Sequence, residues 1–450
     1  MRRVIIPLSL LAVLSGCAQV RPENDFGKVS DIAQARLGQR PIWVQTEQDE
    51  AFVRGEVQAI LARGVTQADA VRLALLNNPG VQARFEEIGA ARADVVQAGL
   101  PRNPSLSVLF GFPLFTGGPL GALAAQAMVS ISDLAEVKDR TAKAQAELER
   151  DILTVGREAM SAAREARLAW LELAYAVRAR TLAGKVAEKA SQLAAQSGRY
   201  RSFGLADDAR VAALEAAAAK AALEVKGLEA KAAVAKARLA RVMGLPAGQE
   251  FALAGDVPDK PAPLPDRTAA VEYAVANNLD VQAAAWAVRA AESGRELEKV
   301  RWLKDFEVGA AYDYDIEGNR TMGPGASLKL PLFDQNQAQR ARAAFMLRRA
   351  QRLLEEVRSQ AGEEAQRALE DAGLARDTAE GLAAGVLPPA GRAAAWAGRY
   401  AGAMQLSELT ALEAELELLH ARLEHNKALF EEQAALVRLE YALGGPLGSK

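Results

Sequence analysis

Few residues of this chain have the types and spacing that catalysis or metal binding requires. The two histidines, His420 and His425, are five residues apart on a predicted helix, so they fit neither a zinc pair at i, i+4 nor a catalytic triad. No glycine-rich loop has the spacing that binds phosphates. The net charge of −2 would not attract nucleic acid. We therefore expect no enzyme activity, metal, cofactor or nucleic-acid partner.

The thiol of the single cysteine, Cys17, is the one group with chemistry of its own. Two arginines and an apolar stretch from Val4 to Leu14 precede it, and this stretch is too short for a stable membrane-spanning helix. The pattern predicts a secretory signal over residues 1–16. It resembles a bacterial lipoprotein signal, which implies that Cys17 is acylated and begins the mature chain. An ordinary signal with an incidental cysteine is the alternative, although a lone cysteine in an exported chain forms no internal disulfide.

The elements that would position functional residues are duplicated at a spacing of 200 residues. Three anchors keep this offset: Asn77-Asn78 and Asn277-Asn278, Gly198-Arg199-Tyr200 and Gly398-Arg399-Tyr400, and Arg238-Leu239 with Gly244 and Arg438-Leu439 with Gly444. They predict two equivalent halves, residues 66–255 and 267–443, joined by a proline-rich linker over 256–266. Residues 17–65 are interpreted as an anchor and a wrap around the main body, and 444–450 as a tail.

Each half is predicted to contain a helix, a β-hairpin, a long helix and a return helix. In the first half, the helices cover about 66–100, 134–197 and 206–243. In the second, they start near 267, 335 and 407, and a kink is expected where Gly385 and Pro388-Pro389 interrupt the long helix. Apolar residues of the first long helix step by alternating four and three, which predicts left-handed supercoiling. The two shorter helices together match the long one in length, so we expect an elongated column.

The hairpin strands are predicted at 105–110 and 128–132 in the first half, and at 306–314 and 326–330 in the second. The turn of the first hairpin, Pro113 to Ala125, is unusually apolar. Alternation of apolar and polar residues would suit a strand with one lipid-facing and one lumen-facing side. A soluble hairpin with one buried face fits the same pattern.

The duplicated order of elements and the lipoprotein start resemble the TolC-like outer-membrane efflux factors over about residues 66–443. The motifs that carry the resemblance are Ala74-Leu75-Leu76-Asn77-Asn78-Pro79, Ala90-Ala91-Arg92-Ala93-Asp94, Gln97-Ala98-Gly99-Leu100, Leu330-Pro331-Leu332-Phe333-Asp334 and Arg238-Leu239 through Gly244. The resemblance implies a mainly α fold with a small β part, with long antiparallel coiled-coil helices and two β-hairpins per chain. It also implies a homotrimer with a 12-stranded barrel and an α-helical tunnel.

The same resemblance implies a passive exit duct in the cell outer membrane, anchored through Cys17 and extending into the periplasm. A periplasmic adaptor (membrane fusion) protein and an inner-membrane pump would feed it. The rival interpretation is a lipid-anchored periplasmic coiled-coil scaffold without channel activity. The exported substrate could be a drug, a metal ion or a peptide.

In that family the turns between long and return helices lie at the periplasmic tip, where they form the gate and meet the adaptor. The gate candidates are Arg199, Tyr200, Asp207, Asp208, Arg399, Tyr400 and Glu408. The adaptor-contact candidates are Gly204, Leu205, Met404, Gln405 and Leu406. The alternative is plain helix turns, in which glycine caps one helix and the acids stabilise the N-terminus of the next.

Overall fold

The computed structural model of the protein describes residues 19–111, 122–255, 263–302, 305–315, 317–403 and 407–446. The expected signal, the predicted lipidation site Cys17 and most of the predicted linker lie outside these ranges. The helices are α1 (Glu23–Leu37), α2 (Glu47–Arg63), α3 (Gln67–Asn77), α4 (Pro79–Gly99), α5 (Ile131–Ser202), α6 (Asp208–Val242), α7 (Arg267–Asn277), α8 (Leu279–Val300), α9 (Gln337–Gly381), α10 (Leu387–Gly402) and α11 (Glu408–Leu443). The strands are β1 (Ser105–Gly111), β2 (Ala122–Ser130), β3 (Glu307–Tyr314) and β4 (Arg320–Ser327). Among the described helices, none has a stretch both long and apolar enough to cross a membrane.

The chain divides into two compact units, and each contains parts of both sequence repeats. The first comprises residues 1–28, 86–155 and 280–357, and it holds the strands. The second comprises 29–85, 156–279 and 358–450, and it holds a core built from aliphatic, alanine and aromatic side chains. Trp170 is almost fully buried in this core, and its indole N–H donates to the carbonyl of Val65 at 2.8 Å.

The helix predicted over 66–100 is two helices, so that prediction was wrong. Asn78, between α3 and α4, has an extended backbone with ψ at 118°, as expected before Pro79. Its side chain then caps α4, because Oδ1 accepts from the backbone N–H of Gly80 at 2.8 Å. The second half breaks at the equivalent Asn278 although Leu279 follows it, so proline alone does not cause the break.

The four strands form one antiparallel sheet in the order β1-β2-β3-β4. The predicted starts of two strands were wrong: β2 starts at Ala122 rather than at 128, and β4 starts at Arg320 rather than at 326. The error in β4 came from Gly323, Pro324 and Gly325, which lower strand propensity and yet pair with β3 throughout. Within the sheet of a single chain, β4 is an edge strand, which is a position where proline occurs.

The long helices follow the sequence closely. α5 has 72 residues, and its seam is buried at Leu148, Ile152 and Val155. The second long helix is interrupted where expected, as a π-helical turn over Leu382–Val386, before α10 begins with prolines in its first turn. The π-helical turn interrupts the regular hydrogen bonding of the helix just before Pro388 and Pro389, which have no N–H to donate.

Candidate functional site

The turn between α5 and α6 is closed by backbone hydrogen bonds. The N–H of Leu205 donates to the carbonyl of Tyr200 at 2.9 Å, and that of Gly204 donates to Arg201 at 2.9 Å. Gly204 has φ at +73°, a conformation that favours glycine. Phe203 and Leu205 are 76% and 73% exposed, so the turn presents two large apolar side chains to its surroundings.

The acidic residues after this turn have separate partners. Asp207 is the N-cap of α6, and its carboxylate accepts from the backbone N–H of Arg210 at 2.7 Å. Asp208, the first residue of α6, lies 3.3 Å from the guanidinium of Arg201. Helix capping is therefore present at Asp207, while the carboxylate of Asp208 is exposed at the surface.

The start of α11, which follows the second turn, contacts α5 and α6. Ser407 caps α11, and the following residue, Glu408, accepts a hydrogen bond from Nε2 of Gln196 at 2.5 Å. Further along the same helices, Arg210 and Glu413 form an ion pair at 2.5 Å. Polar contacts thus join α5 and α6 of the first half to α11 of the second.

For the remaining residues predicted at the tip, the structure gives little evidence of a role in gating or adaptor contact. The guanidinium of Arg199 lies 3.5 Å from Oε1 of Gln196, and Tyr200 is half-buried. Arg399 and Tyr400 lie on α10 and are exposed. The adaptor-contact candidates Met404, Gln405 and Leu406 lie outside the described residues. Gating and adaptor contact therefore stay predictions for all of these residues.

The sheet has two faces of different chemistry, which the register makes clear. One face, apart from Arg320 at its end, consists of apolar residues and tyrosines: Leu106, Val108, Phe110, Leu123, Ala125, Ala127, Val129, Val308, Ala310, Tyr312, Tyr314, Met322, Pro324 and Ala326. The opposite face consists mostly of small and polar residues, including Ser105, Ser107, Gln126, Ser130, Glu307, Asp313, Thr321 and Ser327. Leu106 and Met322 on the apolar face are 73% and 80% exposed.

The first repeat anchors meet at a junction that we call the first junction, formed by Asn77, Asn78 and residues 242–244. Nδ2 of Asn77 donates to the carbonyls of Met243 and Gly244 at 3.0 and 2.9 Å, and Nδ2 of Asn78 donates to Val242 at 2.8 Å. A Cβ on Gly244 would lie 2.2 Å from the carbonyl oxygen of Asn77. The repeated Asn-Asn and glycine motifs are thus contact partners across a helix end.

The second junction, formed by Asn277 and Gly444, uses a residue that sequence reasoning missed. Nη2 of Arg36, from α1, donates to the carbonyl of Asn277 at 2.8 Å, and Nη1 donates to that of Gly444 at 2.6 Å. Burial lowers the pKa of the Arg36 guanidinium. Sequence gave no signal for this contact, because Arg36 lies outside both repeats.

A buried ion cluster lies where the sheet meets the helices. Asp133 of α5 pairs with Arg140 at 2.8 Å and with Arg102 at 3.2 Å, and it also accepts from the backbone N–H of Arg102 at 2.7 Å. Burial alone would raise the pKa of Asp133, but these arginines and hydrogen bonds hold it below its usual value. Among the described residues, no group of His, Cys, Asp and Glu side chains is arranged to hold a metal ion.

Three solved structures of similar fold are those of two outer-membrane channels and an outer membrane protein. VceC from Vibrio cholerae, an outer membrane protein, is 17% identical with a TM-score of 0.67, over 84% of this chain and 96% of that chain. The open state of the MtrE outer membrane channel of Neisseria gonorrhoeae is 16% identical with a TM-score of 0.67, over 84% of this chain and 88% of that chain. The CmeC outer membrane channel of Campylobacter jejuni is 14% identical with a TM-score of 0.66, over 84% and 85% of the two chains.

By sequence, the chain matches no protein-family model and no curated protein. At 14–17% identity, the structural likeness shows the fold alone. This fold is the one that the resemblance to TolC-like proteins led us to expect, so the predicted fold class of long helices with two β-hairpins is confirmed.

Proposed function

We propose that this chain is the exit duct of a tripartite efflux or secretion system, which lets substrate pass through the outer membrane without chemical change. The two-faced sheet carries the proposal. Its apolar face suits contact with lipid, and its small and polar face suits a water-filled lumen. The outer-membrane channels CmeC and MtrE and the outer membrane protein VceC, which have a similar fold, support the same function.

A homotrimer would satisfy the edges of the sheet. Within the described residues, β1 and β4 each have a strand partner on one side only. Backbone N–H and C=O groups cannot remain unpaired in lipid, so pairing of β4 with β1 of another copy would complete the ladder. Three copies would supply twelve strands, as the resemblance implies.

The exposed turns would serve the periplasmic end of this duct. Phe203 and Leu205 offer an apolar contact for an adaptor protein, which would connect the duct to an inner-membrane pump. The contact between Gln196 and Glu408 would hold the two turns together in a closed gate. Acylation of Cys17 would anchor the chain to outer-membrane lipid.

The duct is tested by purifying the chain in detergent and inserting it into planar bilayers. We expect trimers that resist heating in dodecyl sulfate and stable single-channel conductance. Leu106→Asp should abolish insertion because it buries a charge against lipid, whereas Ser107→Asp, its neighbour on the opposite face, should insert normally. A monomer without conductance, soluble once Cys17 is replaced, would favour the periplasmic scaffold instead.

The gate is tested by removing charge without removing the helix cap. Asn caps a helix as well as Asp, so the double variant Asp207→Asn/Asp208→Asn should keep α6 intact. If these acids form an entrance ring, conductance should rise or cation preference should fall. Glu417→Gln, an exposed position on α11, is the control. Unchanged conductance and selectivity would leave only the capping role.

A further inference from the structure

A small cavity lies beside the second junction, between α1, α5 and the end of α11. Its volume is about 30 Å³, which is more than the ~10–15 Å³ that one water molecule requires. Leu37, Met160, Val437 and Pro446 contribute apolar walls. All of the lining residues belong to the second compact unit, and the cavity has room for a small ion.

The cavity is lined by three guanidinium groups and one carboxylate. Arg167 and Glu440 pair with each other, so their charges cancel. Arg36 and Arg164 form no ion pair with any residue that the structure describes. Positive charge in partly apolar surroundings is costly without a balancing group, so an anion in the cavity would lower this cost.

Charged groups just outside the cavity do not balance this excess. The carboxylates of Glu165 and Glu364 attract Arg164, whereas the guanidinium groups of Arg157 and Arg438 repel it. The first of these carboxylates is already paired with an arginine of α6. Burial, which is the largest influence, and the repulsion by Arg157 lower the pKa of the Arg164 guanidinium. A further negative group at this position would therefore be favourable.

The guanidinium of Arg164 also has N–H groups with little to bind. It stacks on the ring of Tyr441, 3.8 Å from the centroid. Stacking occupies the face of a guanidinium and leaves the N–H groups at its edge. Of these, Nη2 donates to Oγ of Ser161 at a long distance of 3.4 Å. Arg36 likewise uses only part of its N–H groups for the two carbonyls of the second junction.

We propose that this cavity binds a small inorganic oxyanion, phosphate or sulfate, on Arg36, Arg164 and Arg167. The planar fork of guanidinium matches the spacing of oxyanion oxygens, which favours an oxyanion over chloride. The negative charge of the ion balances Arg36 and Arg164. Because Arg36 also binds the carbonyls of Asn277 and Gly444, the bound ion stabilises the second junction. The site lies within one copy of the chain, so it does not depend on conduction.

The test measures binding directly, by equilibrium dialysis of radiolabelled inorganic phosphate against the full chain in detergent. Ionic strength is held constant with sodium chloride, so that screening is the same at every phosphate concentration. We expect one saturable site per chain, from which sulfate displaces phosphate far better than chloride does. No saturable binding, or displacement by chloride as readily as by sulfate, would overturn the proposal.

The variant Arg164→Gln locates the site, because this arginine has no ion pair to lose. It should weaken phosphate binding by about tenfold, as expected for a lost charged donor. The matched control is Arg178→Gln, which removes an exposed guanidinium of α5 outside the cavity and should bind like the unmodified chain. Equal affinity in the two variants would place the phosphate elsewhere and exclude this cavity.

The variant Arg164→Lys separates charge from geometry. An ammonium group keeps the charge but cannot form the planar fork, so we expect it to recover only part of the lost affinity. Circular dichroism and the thermal midpoint without phosphate show that each variant keeps its fold. Full affinity in Arg164→Lys would exclude recognition of the oxyanion by the guanidinium fork.

Stabilisation of the junction is measured with the same proteins. Phosphate stabilises proteins in general because it is excluded from their surface, so the specific part is the difference between variants. The thermal midpoint should rise more with phosphate in the unmodified chain and in Arg178→Gln than in Arg164→Gln. Equal rises in all three would contradict the stabilising role of the bound ion.

Discussion

The first and second junctions start from the same repeated motif and are closed in different ways. At the first, the side chains of Asn77 and Asn78 bind the end of α6 directly. At the second, Nδ2 of Asn277 instead donates to Tyr273 within its own helix, at 3.0 Å. Arg36 supplies the hydrogen bonds that connect Asn277 with Gly444. The equivalent asparagines Asn77 and Asn277 therefore make different side-chain contacts, and a segment outside the repeats supplies hydrogen bonds at the second junction.

The largest difference should come from the two equivalent glycines. Gly244→Ala places a Cβ 2.2 Å from the backbone oxygen of Asn77, so we expect a loss of about 3 kcal/mol or more in the free energy of unfolding. Gly444→Ala should cost less, about 1–2 kcal/mol. Its nearest atom, at 2.9 Å, is the end of the flexible Arg36 side chain. Denaturant unfolding followed by circular dichroism measures both, and equal losses would contradict the comparison.

An intermediate effect is expected at Arg36. Arg36→Ala leaves two carbonyl groups at the second junction without their donor, which should cost about 2 kcal/mol. Arg36→Lys should recover little of this, because an ammonium group cannot reproduce the planar fork of guanidinium. Hydrogen exchange should speed up around Gly444 and remain unchanged around Gly244. Faster exchange at both junctions would show that Arg36 acts on the whole unit.

The smallest effect on stability is expected at the N-termini of α3 and α7, the helices that precede the two junctions. Thr66 and Asp69 form a capping box at α3, and Asp69 also pairs with Arg63 at 2.5 Å. At α7, Asp266 is itself the cap, and Ala269 stands where Asp69 stands in the first half. Burial would raise the pKa of Asp69, but the bonds from Thr66 and Arg63 outweigh it and lower the pKa.

Because the folded pKa of Asp69 is depressed, its contribution is present above its unfolded pKa of about 3.9 and is lost as pH falls through the folded value. Asp69→Asn should therefore cost about 1 kcal/mol at pH 7 and flatten the loss of stability on acidification below about pH 4. Urea unfolding between neutral and acidic pH measures this. An unchanged dependence of stability on pH would mean that Asp69 does not control the loss of stability at acidic pH.

Sequence predicted the features that depend on local periodicity. The heptad seam of α5, the interruption near Gly385 and the duplicated order of elements follow from spacing and from glycine and proline chemistry. The start of β4 was missed because its pairing with β3 overrides the weak strand propensity of its glycines and proline.

Contacts between distant segments could not be predicted in the same way. The bond between Gln196 and Glu408 joins residues 212 positions apart, and no local pattern indicates it. At the tip, sequence identified the residues that lie in the turns but not the partners of each carboxylate.

The contacts of Arg36 also have a temporal consequence. A chain that enters its folding compartment with its N-terminus first can form the first junction once Gly244 has entered, since Asn77 and Gly244 are 167 residues apart. Arg36 must wait for Gly444, 408 residues later. Until then Arg36 lacks this acceptor, although α1 can already pair with Arg92 through Asp25. The second junction is thus closed last, and its closure marks a chain whose two halves have both been made.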